Sequence, residues 1–178
     1  MRALFWGLVF VVAVGLAGCA QRTQVRPPAG TTTTVVLIRH ADRFPGFPEL
    51  SDAGRDRAAA LPDALAGVEI QAIYSPDLER NLATVEPLAQ ERGIQVTVVE
   101  VSGVAARLVG ENPGKAVLWV GNTDNLENIF RELGGEGPPP NNYGDLYILK
   151  VPGDGPTDVT RSRFGAVLLS PGTSQTSQ

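Results

Sequence analysis

Four short apolar runs separated by helix-length segments constrain this chain more than any other feature of its sequence. Val35 to Ile38, Ile70 to Tyr74, Val96 to Val99 and Val117 to Val120 are mostly continuous apolar stretches, the pattern of strands covered on both faces. Between them apolar residues recur at helical spacing: Leu61, Leu65 and Val68; then Leu78, Leu82, Val85 and Leu88; then Leu126, Ile129, Phe130 and Leu133. Ser51 and Ser75 read as N-caps, the second with Pro76 at the first helical position. Gly93 and Gly134-Gly135 suit helix ends. Alternating strand and helix predicts a three-layer α/β/α sandwich around a mostly parallel sheet. Tyr143 to Val151 and Val159 to Phe164 read as late strands, with Pro152-Gly153-Asp154-Gly155 as a turn between them.

This pattern occupies residues 35–169, and the flanks differ from it. Met1-Arg2 precedes an uncharged apolar stretch from Ala3 to Ala17, so residues 1–18 read as a signal peptide. Leu16-Ala17-Gly18-Cys19 resembles the processing site of bacterial lipoproteins, which implies lipidation of Cys19, the chain's single cysteine. An uncleaved anchor helix is the alternative, for which the apolar stretch is short. Residues 19–34, with Arg22, Arg26, Pro27-Pro28 and five threonines, read as a lipidated tether, and the polar residues 170–178 as a disordered tail. The resemblance implies a membrane partner through the lipid. With Ala20 after the cysteine, it implies a place in the cell envelope, on the periplasm-facing outer membrane.

Charge narrows the function. The formal net charge is -4, so no basic field favours nucleic acid, and an anionic ligand has to be held by local arginines. Arg39 and His40 end the first apolar run, Arg80 follows the second, and Gly121-Asn122-Thr123 follows the fourth. In an open parallel sheet ligands bind at the carboxyl ends of the strands, so three separate segments converge on one mouth. Arg80 and Thr84 lie one helical turn apart, on a different face from Leu78 and Leu82. A guanidinium offers phosphate a planar fork of charge-assisted donors. With one histidine in the chain, imidazole chemistry has to run through His40.

These residues resemble a known family. Arg39-His40-Ala41 is similar to the Arg-His-Gly signature of the histidine phosphatase superfamily, the phosphoglycerate mutase-like proteins, with alanine in the glycine place. Leu50-Ser51-Asp52-Ala53-Gly54-Arg55 resembles the opening of the family's first helix. Tyr74 to Arg80, with Thr84 and Glu86-Pro87-Leu88-Ala89, resembles the segment carrying its second phosphate-binding arginine. Val117-Leu118-Trp119-Val120-Gly121 resembles the strand before its second catalytic histidine.

The resemblance implies a phosphoglycerate mutase-like fold and an exported phosphohydrolase acting on a small phosphorylated substrate. In it His40 accepts the phosphoryl group, Arg39 and Arg80 bind its oxygens, and no cofactor or metal is required. A neutral imidazole nitrogen is a good nucleophile near pH 7, and a covalent intermediate divides hydrolysis into two easier displacements. Arg39 to Pro45 also resembles the longer signature of the acid phosphatase branch, which makes Arg43 a third candidate phosphate ligand. Asp42 is the first candidate for the proton donor, with Glu100 and Asp124 behind it. Where the family has its second histidine, this chain has Asn122, which can donate a neutral hydrogen bond but no positive charge. Asn122 reads equally as a helix N-cap, and Arg80 as a solvated arginine paired with Asp77 or Glu79. Two functions therefore stand: a phosphatase of reduced activity, or a non-catalytic member that binds a phosphorylated ligand or a protein. Oligomeric state is not readable from the sequence.

Overall fold

The computed structural model describes residues 24–165. Its elements alternate as β1 (Thr32–Arg39), α1 (Asp52–Ala59), α2 (Leu61–Ala64), β2 (Ile70–Ser75), α3 (Glu79–Arg92), β3 (Val96–Val98), α4 (Val104–Glu111), β4 (Ala116–Gly121), α5 (Thr123–Glu132), β5 (Asp145–Pro152) and β6 (Asp158–Arg163). One six-stranded sheet has the order β3-β2-β4-β1-β5-β6. The first four strands run parallel, and β5 and β6 join antiparallel. This is the expected α/β sandwich.

The continuous apolar runs explain the three layers. Along β1 the side chains alternate between faces: Val35 and Leu37 pack with Val117, Trp119, Leu108, Leu126 and Phe130, under α4 and α5. Val36 and Ile38 pack on the other face with Leu118, Val120, Leu61, Val85 and Leu88, under α2 and α3. A strand buried on both faces has no polar side to show, hence no alternation in its sequence. Trp119 is wholly buried and belongs to this packing.

Four local expectations change. First, Ser75 does not cap a helix. It is the last residue of β2, its hydroxyl donates to the Pro76 carbonyl (2.8 Å), and α3 begins only at Glu79 after an extended Leu78. Second, Leu78 and Leu82 are half-buried; the inward face of α3 is Asn81, Thr84, Val85, Leu88 and Ala89. Third, β3 is an edge strand with Thr97 and Val98 exposed, not an internal one. Fourth, the part of the expected tether from residue 24 onward packs on the domain. Val25 N–H donates to the Glu132 carbonyl (2.8 Å) and Gly153 N–H to that of Thr31 (2.8 Å), while Pro27 is buried. The reason is backbone satisfaction: the segment supplies partners to the end of α5 and to the turn after β5. Cys19, the expected signal peptide and the expected tail lie outside the described residues.

Two other features match. Ser51 Oγ accepts from Gly54 N–H at the start of α1 (3.2 Å), and Gly93 ends α3 in the left-handed region at φ 64°. Gly54 has a further reason to be glycine. A Cβ there would come within 2.1 Å of the Asp42 carbonyl oxygen, so α1 lies directly against the backbone that leaves β1.

Candidate active site

The mouth is built by register. Arg39 at the end of β1 pairs with Gly121 at the end of β4, and His40 N–H extends the ladder to the Gly121 carbonyl (3.0 Å). His40 and Asn122 are therefore the first residues past two adjacent parallel strands. Arg80 arrives in the first turn of α3. Its Nε and Nη2 both donate to Asn122 Oδ1, at 3.2 and 3.0 Å. Thr84, one turn further on, accepts from Ala41 N–H (2.8 Å) and donates to the Arg80 carbonyl (2.7 Å), tying α3 to the residue after the histidine.

His40 is 2% exposed. Its Nδ1 lies 2.8 Å from the Ala41 carbonyl oxygen. A carbonyl only accepts, so Nδ1 carries the proton and Nε2 keeps its lone pair. Burial, together with the positive charges of Arg39, Arg80 and Arg43 and against the Ala41 hydrogen bond, pushes the imidazole down from 6.5 to about 4. The ring is neutral at physiological pH, in the tautomer a nucleophile at Nε2 requires. Arg80 is also shifted down from the ordinary arginine value, by burial and then by Arg43.

Arg39 Nη1 donates to the Asn141 carbonyl (3.0 Å), and its guanidinium lies 4.0 Å from the centre of the Tyr143 ring. Tyr143 in turn sits 5.5 Å from the His40 ring, so one phenol packs against both groups. Arg43 Nη1 donates to the carbonyls of Phe47 (3.0 Å) and Phe44 (3.4 Å). The Nε atoms of Arg39 and Arg43 are buried and have no hydrogen-bond acceptor among the described residues. A buried donor without an acceptor is costly and rare in a folded protein, and here two of them belong to cations whose fields meet at His40.

The expected site residues are thus brought together, with one exception. His40, Arg39, Arg43, Arg80 and Asn122 share the mouth. Asp42 has another job: its Oδ2 accepts from Arg57 Nε (2.6 Å) and its Oδ1 from Arg57 Nη2 (3.4 Å). Arg57 also donates to the Phe164 carbonyl (2.7 Å) and is buried. With both carboxylate oxygens held by one guanidinium, Asp42 staples the loop after His40 to α1. Of the three carboxylates considered, Asp124 is the one whose charge bears on Arg80, and it is exposed in the first turn of α5.

Sequence reasoning missed Tyr143 and its support. Asp145 Oδ2 accepts from the Asn141 and Asn142 N–H groups (3.0 and 2.8 Å), its Oδ1 accepts from Arg163 Nη1 (2.8 Å), and Arg163 Nη2 donates to the Tyr143 carbonyl (2.7 Å). The Asn141-Asn142 pair before an aspartate was the available signal for such an Asp-anchored turn. A separate groove on the outer face of α3 is rimmed by Asp77, Glu79 and Glu86; its acidic rim disfavours an anion.

Comparison with known proteins bears on the fold. The family model of the histidine phosphatase superfamily (branch 1) matches residues 35–102, the stretch that includes Arg39, His40, Arg43 and Arg80. No curated protein matches the chain by sequence. Among solved structures, the protein histidine phosphatase SixA in complex with tungstate superposes with a TM-score of 0.61 at 19% identity, covering 73% of this chain and 96% of its own. YhfR of Bacillus stearothermophilus gives 0.54 at 21%, with 71% and 95% covered. A mycobacterial glucosyl-3-phosphoglycerate phosphatase gives 0.52 at 14%, with 76% and 100% covered. At these identities the likeness is one of fold.

Proposed function

We propose that this chain is a phosphohydrolase of the histidine phosphatase type, with His40 as the nucleophile. The observation that carries this reading is the convergence of three guanidinium groups, two with buried and unpartnered Nε donors, on a neutral imidazole with Nε2 available. In the reaction, Nε2 attacks phosphorus as the ester P–O bond breaks. The departing oxygen takes a proton from an acid, for which Asp124 at the mouth is the better placed carboxylate. Nδ1 keeps its proton on the Ala41 carbonyl, so the phosphorylated ring is an imidazolium, a good leaving group for the second displacement. Water then attacks phosphorus and gives a proton to that same carboxylate as the P–N bond breaks, so phosphate leaves and both neutral His40 and the acid are restored. Arg39, Arg43 and Arg80 supply fixed positive charge to the phosphoryl oxygens throughout. Incubation with a labelled aryl phosphate followed by an alkaline quench should trap an acid-labile phosphohistidine, absent from His40→Ala. Turnover that survives His40→Ala intact overturns the mechanism.

Asn122 takes the place of the second catalytic histidine in this reading, a position supported by its register beside His40. Arg80 is donor-only, so the amide oxygen has to face it, and Nδ2 is left as the one donor Asn122 can offer a ligand. The loss of a cation at this position lowers the expected rate. The same observation favours a second reading, a phosphate-binding member without turnover. Retention of phosphate affinity with no trapped phosphohistidine would select it.

We further propose that the protein is an exported lipoprotein of the cell envelope, on the strength of Leu16-Ala17-Gly18-Cys19 alone. No helix among the described residues is long and apolar enough to cross a membrane. Cys19→Ala should move the protein from the membrane fraction to the soluble fraction or block its processing. Wild-type protein found soluble and uncleaved removes the idea.

A further inference from the structure

We propose that residues 44–48 form an apolar lip on the anion pocket, and that the ligand this pocket selects is a phosphomonoester whose esterified group is aromatic or otherwise apolar. The inference rests on the reading of the mouth as a phosphate site and names its substrate class.

Phe44 and Phe47 are 65% and 60% exposed, the most exposed large hydrophobic residues among those described. They are not scattered. Both lie on one turn of the loop that leaves the His40 end of β1, closed by Phe47 N–H donating to the Phe44 carbonyl (3.1 Å) with Gly46 at φ 87°. Proline at the second position and glycine at the third is the sequence a type II turn demands. Pro45 and Pro48 also bias Phe44 and Phe47 to extended backbone, which narrows the conformations of the turn, and on it both phenyls stand in solvent.

The same turn is fastened to the pocket. Arg43 Nη1 donates to the carbonyls of both phenylalanines, and the charge of that guanidinium bears on His40 and on Arg80. Cation and apolar surface are therefore presented together, within one hydrogen-bonded unit. The occupant that complements both is amphiphilic: a phosphate head for Arg39, Arg43 and Arg80, and an apolar body for the two rings. A sugar or glycerol ester buries less apolar surface against Phe44 and Phe47 than an aryl or alkyl ester does.

The test uses the full chain and ligands that cannot turn over. Binding of methylphosphonate, 1-naphthylmethylphosphonate and inorganic phosphate is measured by calorimetry for wild type, Phe44→Ser, Phe47→Ser and the double variant. Wild type should bind the naphthyl compound about tenfold more tightly than the methyl compound, as expected for partial burial of an aromatic group. The double variant should lose that ratio while its affinity for inorganic phosphate stays unchanged; both substitutions are at exposed positions. Equal affinity of wild type for the two phosphonates overturns the proposal, as does a ratio that survives the double substitution. If the double variant instead loses self-association or membrane retention with the ratio intact, the rings serve association and the proposal falls. Failure of inorganic phosphate to bind wild type would instead remove the reading of the pocket itself, and this inference with it.

Discussion

At the amino-terminal edge of the sheet, Arg26 Nη1 donates to Thr157 Oγ1 (3.1 Å) and to the Pro152 carbonyl (3.5 Å), and Thr157 passes the network on to the Leu133 carbonyl (2.6 Å). At the carboxyl edge, Arg39 and Arg43 each keep a buried Nε with no acceptor among the described residues. Arg80 there spends two donors on a single amide oxygen. The residue type is the same and its circumstances differ. The fold supplies acceptors for Arg26 Nη1, whereas Arg39 and Arg43 find carbonyl partners for Nη1 alone and each keeps a buried Nε without one, the donor that the proposed anion would satisfy. A protein of marginal stability keeps such unsatisfied cations only where something compensates for them.

The largest effect that can break this contrast is the pH dependence of stability. His40 titrates near 6.5 when unfolded and is pushed to about 4 in the fold. Between those values the unfolded chain binds a proton that the folded chain does not, so stability is complete above about pH 6.5 and is lost as pH falls toward 4. The loss is on the order of 3 kcal/mol. Denaturant titrations at pH 7 and 4.5 should show it in wild type and not in His40→Gln. Inorganic phosphate should reduce the loss, because a bound anion offsets the three arginines. Identical pH slopes in the two proteins would mean the site does not hold His40 neutral.

Next in size is the effect of truncating the arginines themselves. Arg39→Ala and Arg80→Ala each remove charge-assisted donors worth roughly 1.5–3 kcal/mol toward an anion, about 10- to 100-fold in vanadate affinity. Arg26→Ala should leave vanadate affinity alone and lower stability instead, by about 1 kcal/mol. If Arg26→Ala weakens anion binding as much as Arg39→Ala, the two edges are not distinct.

What the sequence made legible follows the same division. The core runs and the carboxyl-edge positions of Arg39, His40, Arg80 and Asn122 were readable, because continuous apolar runs mark the parallel strands whose carboxyl ends meet. Asp42 was misjudged for a physical reason: a carboxylate two residues from a histidine looks like a proton donor until its partner is known, and Arg57 comes from a separate helix. Tyr143 was read as the first residue of a strand, since nothing local reveals that Arg39 and His40 pack on it. The edge position of β3, whose residues were legible as a strand, and the helix α4 escaped for a different reason. An edge strand with two of its three residues exposed carries no burial pattern, and α4 begins after a left-handed Gly103 without a side-chain cap.

The smallest effect is the most informative about activity. Asn122 contributes an oxygen to Arg80 and one amide donor to the mouth, where an imidazolium would contribute a charged donor. A missing transition-state donor is worth about 10²–10³ in rate, and a neutral hydrogen bond has roughly half the strength of a charge-assisted one. Asn122→His should therefore raise the rate on an aryl phosphate by about tenfold. The substitution also releases Arg80 from the amide oxygen, freeing two donors for the phosphoryl group, which acts in the same direction. Adding His40→Ala to Asn122→His should abolish the gain, since the new cation only assists an attack that His40 makes. If the gain survives that second substitution, the added histidine has become a nucleophile itself. If Asn122→His changes nothing in an active wild type, the hydrogen bond between Arg80 and Asn122 already positions the guanidinium as the reaction requires, and the site does not need a histidine at this position.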